Sequence, residues 1–305
     1  MENGFVQITD VGPRDGFQNV RTFIDTDIKL TIIEKLYEAG VRSMELTSFV
    51  SPKAIPQMAD AGTVVCAVLE KYPELRAVAL VPNLRGAQNA WDAGIREIAC
   101  VISASEAHNK ANVNRTIAES IAGLAQIRTA LPDMRIQLDI ATAFGCPFAG
   151  EVSSEAVLGL IGQAQTVGLG GVTLCDTIGI ANPAQVQRLL SDVRWKYPQL
   201  DLTLHFHNTR GMGLANIFAA LELGLRKFET SVGGLGGCPF APGADGNTAT
   251  EDAVNMLHAM GYATGIDLDK YLEAVAYTKT HVDAPLSGKL LGVRRSSCMN
   301  VSGRA

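Results

Sequence analysis

LTLHFHNTRGMGLANIFAALELGLRKFET, residues 202–230, holds one whole step of a parallel sheet. Leu202, Leu204 and Phe206 alternate with Thr203, His205 and His207, which is the period of a strand. Residues 214–223 then read as a helix and residues 227–230 as a second strand. Outward from this step the pattern repeats. Further strands are expected at 5–9, 41–47, 76–81, 95–102, 135–141 and 171–174, and helices at 26–39, up to 71, 84–93, 116–130, 153–167 and 183–196. The first helix shows the signal best: Ile28, Leu30, Ile32, Ile33, Leu36 and Tyr37 recur at helical spacing and Gly40 stops it. Residues 48–57, with Pro52 and Pro56, form a loop, and the polar stretch 103–114 reads as a long connection, a kind that tends to be functional. Eight alternations of strand and helix favour an α/β chain closed into a (β/α)8 TIM barrel. An open doubly wound sheet would carry a glycine-rich fingerprint at its first strand-to-helix turn, and there is none. No composition break marks a second domain. Residues 1–266 are assigned to the barrel, and residues 267–305, with a helix at 268–280, to a C-terminal appendage and tail packed on it.

Bulk composition narrows the class of protein. With 305 residues, 47% hydrophobic and 19% charged, the chain can bury a core and is not extensively disordered. A net charge of −5 leaves no excess of cations for a nucleic-acid backbone. No apolar run is long enough to span a membrane, and residues 1–5 lack the basic and apolar regions of a signal peptide, so cytoplasm is the expected compartment. Six cysteines are scattered without a Cys-x-x-Cys spacing, as expected of thiols in a reducing compartment.

His205 and His207 lie two apart on a strand and point the same way, which makes half of a metal site. A bare His-x-His is more often a pair of partly exposed polar residues; the neighbours decide. In a barrel the C-terminal ends of the strands share one face. That face receives Arg14 and Asp15 after the first strand, Glu45 near the end of the second, Asp176 after the sixth, the histidines at the end of the seventh and Asn247 beyond the eighth. The topology predicts one divalent cation held by Asp15, His205, His207 and Asn247. Mixed oxygen and nitrogen donors suit Mg2+, Mn2+ or Zn2+, and spacing does not choose among them. Residues 233–247, GGLGGCPFAPGADGN, are too glycine-dense for a packed element and read as a lid carrying Cys238. A single cysteine is normally a small buried hydrophobe, but beside a cation its thiol would acidify and gain acid and base capability.

Residues 12–18 (GPRDGFQ), 47–53 (TSFVSPK) and 176–179 (DTIG), the His205-Phe206-His207 triplet and residues 233–252 closely resemble the 3-hydroxy-3-methylglutaryl-CoA lyase family of DRE-TIM metallolyases, in the same order and spacing. The resemblance implies a TIM barrel, a divalent cation on Asp15, His205, His207 and Asn247, a substrate-polarising Arg14 and a catalytic thiol at Cys238. It also places Glu45 and Asp176 around the catalytic centre; Gln18, Ser48, Asn208 and Arg210 are expected with Arg14 around the substrate. The implied reaction cleaves a 3-hydroxyacyl-CoA to acetyl-CoA and a keto acid, the step expected in leucine degradation. Asp15 or His205 would take the hydroxyl proton, Arg14 would stabilise the thioester enolate, and Cys238 would protonate the acetyl carbanion. An acyl-CoA thioester is the implied partner, and a homo-oligomer, dimer or tetramer, the implied assembly.

One departure stands out. The family continues His-x-His-Asp-Thr-Tyr-Gly-Gln, whereas Asn208 and Arg210 follow here. Losing an anion and gaining a cation beside the metal admits a shorter or differently branched malyl-type thioester, such as citramalyl-CoA or 3-methylmalyl-CoA. His-Phe-His-Asn is also similar to the Claisen synthases for isopropylmalate and homocitrate, which join acetyl-CoA to a 2-keto acid. Cys238 in its glycine loop and residues 246–252, GNTATED, speak against a synthase. A non-catalytic barrel that binds metal or CoA is the third reading, and it gives no physical reason to hold so many charges together.

Overall fold

Eight parallel strands close on themselves in the computed structural model, which describes residues 4–237 and 246–292. They are β1 (Gln7–Asp10), β2 (Ser43–Ser48), β3 (Arg76–Leu80), β4 (Glu97–Ser103), β5 (Arg135–Ala141), β6 (Gly171–Asp176), β7 (Leu202–Phe206) and β8 (Lys227–Thr230). Each pairs with the next, and β8 returns to β1 with Thr9 opposite Glu229. The helices are α1 (Thr26–Glu38), α2 (Ala61–Lys71), α3 (Leu84–Asp92), α4 (Glu106–Val113), α5 (Ile117–Ala130), α6 (Ser154–Thr166), α7 (Pro183–Lys196), α8 (Gly213–Glu222), α9 (Thr250–Ala259) and α10 (Leu268–His281). None is long and apolar enough to cross a membrane.

Strand alternation divides the interior in two. Leu202, Leu204 and Phe206 of β7, like Ile136, Leu138 and Ile140 of β5, join the apolar layer between barrel and helices. Burying such a side chain contributes roughly 1.5–3 kcal/mol, so this layer supplies the main stabilisation. The intervening residues, Thr203 and His205 of β7 and Gln137 and Asp139 of β5, are buried on the other face, inside the cylinder. Polar chemistry is thereby directed into the barrel by the same period that builds its shell.

Two connections differ from their sequence reading. Residues 103–114 contain a helix, α4, because Ser105 accepts the His108 N–H at its start and Asn114 turns left-handed (φ 54°) at its end. Its sequence is mostly polar, with only Ala107, Ala111 and Val113 apolar, so no strong apolar stripe announces it. Asn109 fixes this connection by accepting from Ser103 N–H (3.0 Å) and donating to Arg115 O and Ser120 Oγ. The turn after β1 is likewise helical: Gly12–Gly16 form one π-turn in which Val11 O accepts the Gly16 N–H at 3.2 Å as well as the Asp15 N–H at 2.7 Å. A side chain at Gly12 would meet Val232, and one at Gly16 would meet Leu235, so glycine at both positions lets residues 232–235 pass closely.

Helix α10 packs between α9 and α1. The fully buried Asp10 carboxylate accepts from Gly12 N–H (2.9 Å), Val232 N–H (3.3 Å), Thr250 Oγ1 (2.9 Å) and the Tyr271 hydroxyl of α10. Bonds to a charged acceptor contribute about 1.5–3 kcal/mol each. One carboxylate thus ties β1 to α9, to α10 and to the segment that leaves β8.

Candidate active site

Asp15, His205 and His207 bring one donor atom each to a common point, all within 4.8 Å of one another and all buried. The β7 strand supplies His205, and the residue after it, His207, faces Asn247 across an isolated antiparallel bridge. The histidine rings lie 5.2 Å apart, centroid to centroid, so the alternation does put both on one side. Asn247 donates from Nδ2 to Asp15 Oδ2 (2.6 Å) and to Leu235 O (2.9 Å). Gly236, at φ +125°, leaves room for this amide, which any side chain there would strike. The sequence-predicted donor set of Asp15, His205, His207 and Asn247 is therefore assembled in one place.

Whether these residues fit a cation is tested by their own unsatisfied atoms. Asn247 Oδ1 and His207 Nδ1 are buried without a hydrogen-bond partner. A buried acceptor left in that state costs about 1–3 kcal/mol, and a cation satisfies it. His205 Nδ1 lies 3.0 Å from Glu229 Oε2, which leaves Nε2 for a ligand. Burial and the neighbouring His205 push the His207 pKa down to about 4, so its imidazole is neutral and able to coordinate. Burial raises the Asp15 pKa, but Arg14 and the two histidines outweigh it and hold the carboxyl below its ordinary value. Neutral imidazole, carboxylate and amide oxygen form a mixed set that fits a hard or borderline divalent ion.

Beside the donors stands Arg14, buried and gripped by two acids. Its Nε donates to Glu45 Oε2 (2.6 Å) and its Nη1 to Asp15 Oδ1 (2.7 Å), while Gln18 Nε2 also donates to Asp15 Oδ1 (2.8 Å). Burial raises the Glu45 pKa to about 7, with Arg14 restraining it and Glu229 adding to it. Glu45 thus orients Arg14. Arg14, Asp15, Gln18, His205 and His207 line one cavity of about 990 Å³ that is also lined by Asn83 of the β3–α3 connection, Arg85 of α3, Asn112 and Arg115.

The remaining sequence-predicted residues lie around this centre. Asp176 ends β6 with Oδ1 accepting Ile180 and Ala181 N–H groups and Oδ2 without a partner; burial raises its pKa to about 6 against those two bonds. Ser48 is fully buried at the end of β2 and does not line the cavity. Asn208 accepts the Gly213 N–H at the start of α8, and Arg210 donates to Ile178 O and Gly179 O, so both contact loop backbone. Cys238 lies outside the described residues.

Two acids inside the barrel escaped the sequence reading: Glu229 of β8 and Asp139 of β5. Glu229 pairs in register with His205 and backs its ring, an arrangement that fixes the tautomer of a metal ligand. Its signal was an acid on the inward period of the last strand. Glu229→Gln is expected to weaken metal binding by roughly 10–100-fold with the fold intact, as read by calorimetric titration. Unchanged affinity would remove Glu229 from the metal centre.

Comparison with known proteins adds to this geometry. The sequence matches the HMGL-like family over residues 5–277. It is 42% identical over 294 residues to hydroxymethylglutaryl-CoA lyase YngG of Bacillus subtilis, covering 96% of this chain and 98% of that protein. Against the (R)-citramalyl-CoA lyase of Chloroflexus aurantiacus it is 40% identical over 292 residues, 92% of each chain. An HMG-CoA lyase from Acinetobacter baumannii, solved with coenzyme A and 3-methylmalate, superposes with a TM-score of 0.91 at 41% identity over 97% of both chains.

Proposed function

Since the chain belongs to the HMGL-like family, we propose that it is a divalent-metal-dependent acyl-CoA lyase that cleaves a 3-hydroxyacyl-CoA to acetyl-CoA, or a similar acyl-CoA, and a keto acid. The observation that carries this reading is the convergence of Asp15, His205 and His207 within 4.8 Å, beside Arg14, in one deep cavity. A bound divalent ion, Mg2+, Mn2+ or Zn2+, supplies Lewis acidity at the substrate's hydroxyl and carboxylate oxygens. Asp15, His205, His207 and Asn247 would hold it.

Breaking the C2–C3 bond removes the 3-hydroxyl proton and leaves charge on a thioester enolate. Of the two candidate bases, Asp15 is assigned the proton, because His205, with Nδ1 against Glu229 and Nε2 given to the cation, keeps no free ring nitrogen. Arg14 is fixed by Glu45 and Asp15 before substrate arrives, so its charge meets the developing enolate oxygen without reorganisation. Cys238 is assigned the return of a proton to the acetyl carbon, and Gln18 the fixing of Asp15. The acyl portion enters first and the CoA tail leaves by the mouth, where Arg85 and Arg115 suit its phosphates.

The substrate is assigned to the branched 3-hydroxy class: 3-hydroxy-3-methylglutaryl-CoA, citramalyl-CoA or 3-methylmalyl-CoA. The protein is further taken to be a cytoplasmic homo-oligomer, a dimer or tetramer. A coupled assay of acetyl-CoA release from these thioesters, with Mg2+ or Mn2+, tests the reading. Release from at least one member is expected. No release from any member by metal-loaded protein would overturn the lyase, and free CoA formed from acetyl-CoA plus a 2-keto acid would establish the synthase instead.

A further inference from the structure

Asp139 has no part in the reaction set out above, yet it occupies a place where a bystander would be costly. It points into the barrel from β5, is 6% exposed, and lines the same cavity as Arg14, Cys175, His205 and Glu229. The Thr173 hydroxyl is its hydrogen-bonding neighbour, while its Oδ1 has no partner. Among the described residues no cation forms an ion pair with it; Arg14, bonded to Glu45 and Asp15, favours its charged form only from a distance. Burial and the nearby Glu229 and Glu45 push its pKa well up. In either protonation state a carboxyl group keeps an accepting oxygen.

Its depth says which part of a ligand could meet it. Asp139 pairs with Thr173, two residues below Cys175, and Cys175 pairs with His205. Tilted strands of a closed barrel stagger by about two residues over two strands, as the Thr173 Oγ1–Glu229 Oε1 contact of 3.4 Å between β6 and β8 shows, so Asp139 lies in the same layer as His205, beside the metal donors. A group reaching that layer lies beside the metal donors and belongs to the acyl chain. A buried acceptor without a partner is retained at a cost, and a ligand donor removes that cost.

We propose that Asp139 is a specificity-determining residue of the acyl pocket, accepting a hydrogen bond from a hydroxyl or ammonium group that the acyl chain carries in addition to its 3-hydroxyl. The proposal rests on the lyase reading, and it turns that reading toward polar-branched substrates in place of the plain methyl branch.

The test compares citramalyl-CoA with the analogue whose methyl branch is replaced by hydroxymethyl, using metal-loaded wild type, Asp139→Asn and Asp139→Val. Wild type is expected to favour the hydroxymethyl substrate in kcat/KM by roughly 10–100-fold, the range set by leaving one buried acceptor unsatisfied. Asp139→Asn keeps an accepting oxygen and should retain part of the preference; Asp139→Val should lose it. A wild type that favours the methyl substrate, or a ratio unchanged in Asp139→Val, overturns the proposal. If Asp139→Val does not fold, the wild-type preference and Asp139→Asn decide. If wild type turns over neither thioester, the lyase reading fails separately, and calorimetric titration of Mn2+-loaded protein with lactate and glycerate still reads Asp139. Glycerate should bind more tightly than lactate in wild type by at least about tenfold, keep part of that margin in Asp139→Asn and lose it in Asp139→Val; equal binding in wild type overturns the proposal.

Discussion

Arg14→Gln is expected to lose about three orders of magnitude in turnover while the protein keeps its metal. The enolate oxygen develops its charge only as the bond breaks, so a cation aimed at it lowers the barrier and not the ground state. Removing one preorganised donor of this kind costs about 100–1,000-fold in kcat, and here a full charge is removed as well. Glutamine can still donate, but it is shorter and neutral, and it cannot bridge Glu45 and Asp15 as Nε and Nη1 do. The expected signature is an equal fall in kcat and kcat/KM. Collapse of the site is not expected, because Glu45 already titrates near 7 with Arg14 holding it down. Without that cation its pKa rises further and the carboxyl takes a proton, so no unpaired charge is stranded. Unchanged turnover in a folded Arg14→Gln protein would remove Arg14 from the mechanism.

The same residues explain how far the chain could be read from its letters. Alternation in residues 202–207 was enough to place both histidines on one face, because a strand has only two. Repetition of the strand–helix step was enough to close the barrel, because parallel neighbours need crossovers. Asp15 and Asn247, 232 positions apart, could be brought together from topology alone. Asp139 could not, and Glu229, although it falls on the inward period of the last strand, escaped the reading. An acid in a strand is usually solvent-facing, and nothing local tells the inside of a barrel from the outside when both faces are buried. Residues 103–114 failed differently: α4 is set by its caps and by Asn109, and not by an apolar stripe. Asn208 and Arg210 drew attention as departures beside a metal ligand, yet the chain turns after His207 and directs both to loop backbone. Distance along a sequence carries no direction. An effect of these two residues on substrate choice would act through the Asn208–Gly213 and Arg210–Gly179 contacts that hold the loop.

His205→Ala should give the largest loss on the metal side, and the pH dependence of binding separates its cause from a damaged fold. In wild type the Glu229 carboxylate holds the His205 pKa above its ordinary value in spite of burial, whereas His207 is neutral down to about 4 and Asp15 is ionised below its usual range. A cation must therefore displace a proton from His205 alone, so wild-type affinity rises with pH until His205 is deprotonated and then levels. Removing this ring deletes one donor and strands Glu229, whose lost backing role would by itself cost roughly 10–100-fold. The variant should need more than about a hundredfold more Mn2+ to reach half-saturation, again by the measure of that lesser loss. Its affinity should also be flat with pH from neutrality down toward the His207 edge. Stripping wild type with a chelator should abolish acetyl-CoA release, and Mn2+ should restore it. A variant that binds Mn2+ as tightly as wild type, with the same pH slope, would show that His205 is not a ligand. A variant that binds weakly but keeps the wild-type slope would assign the displaced proton to another group.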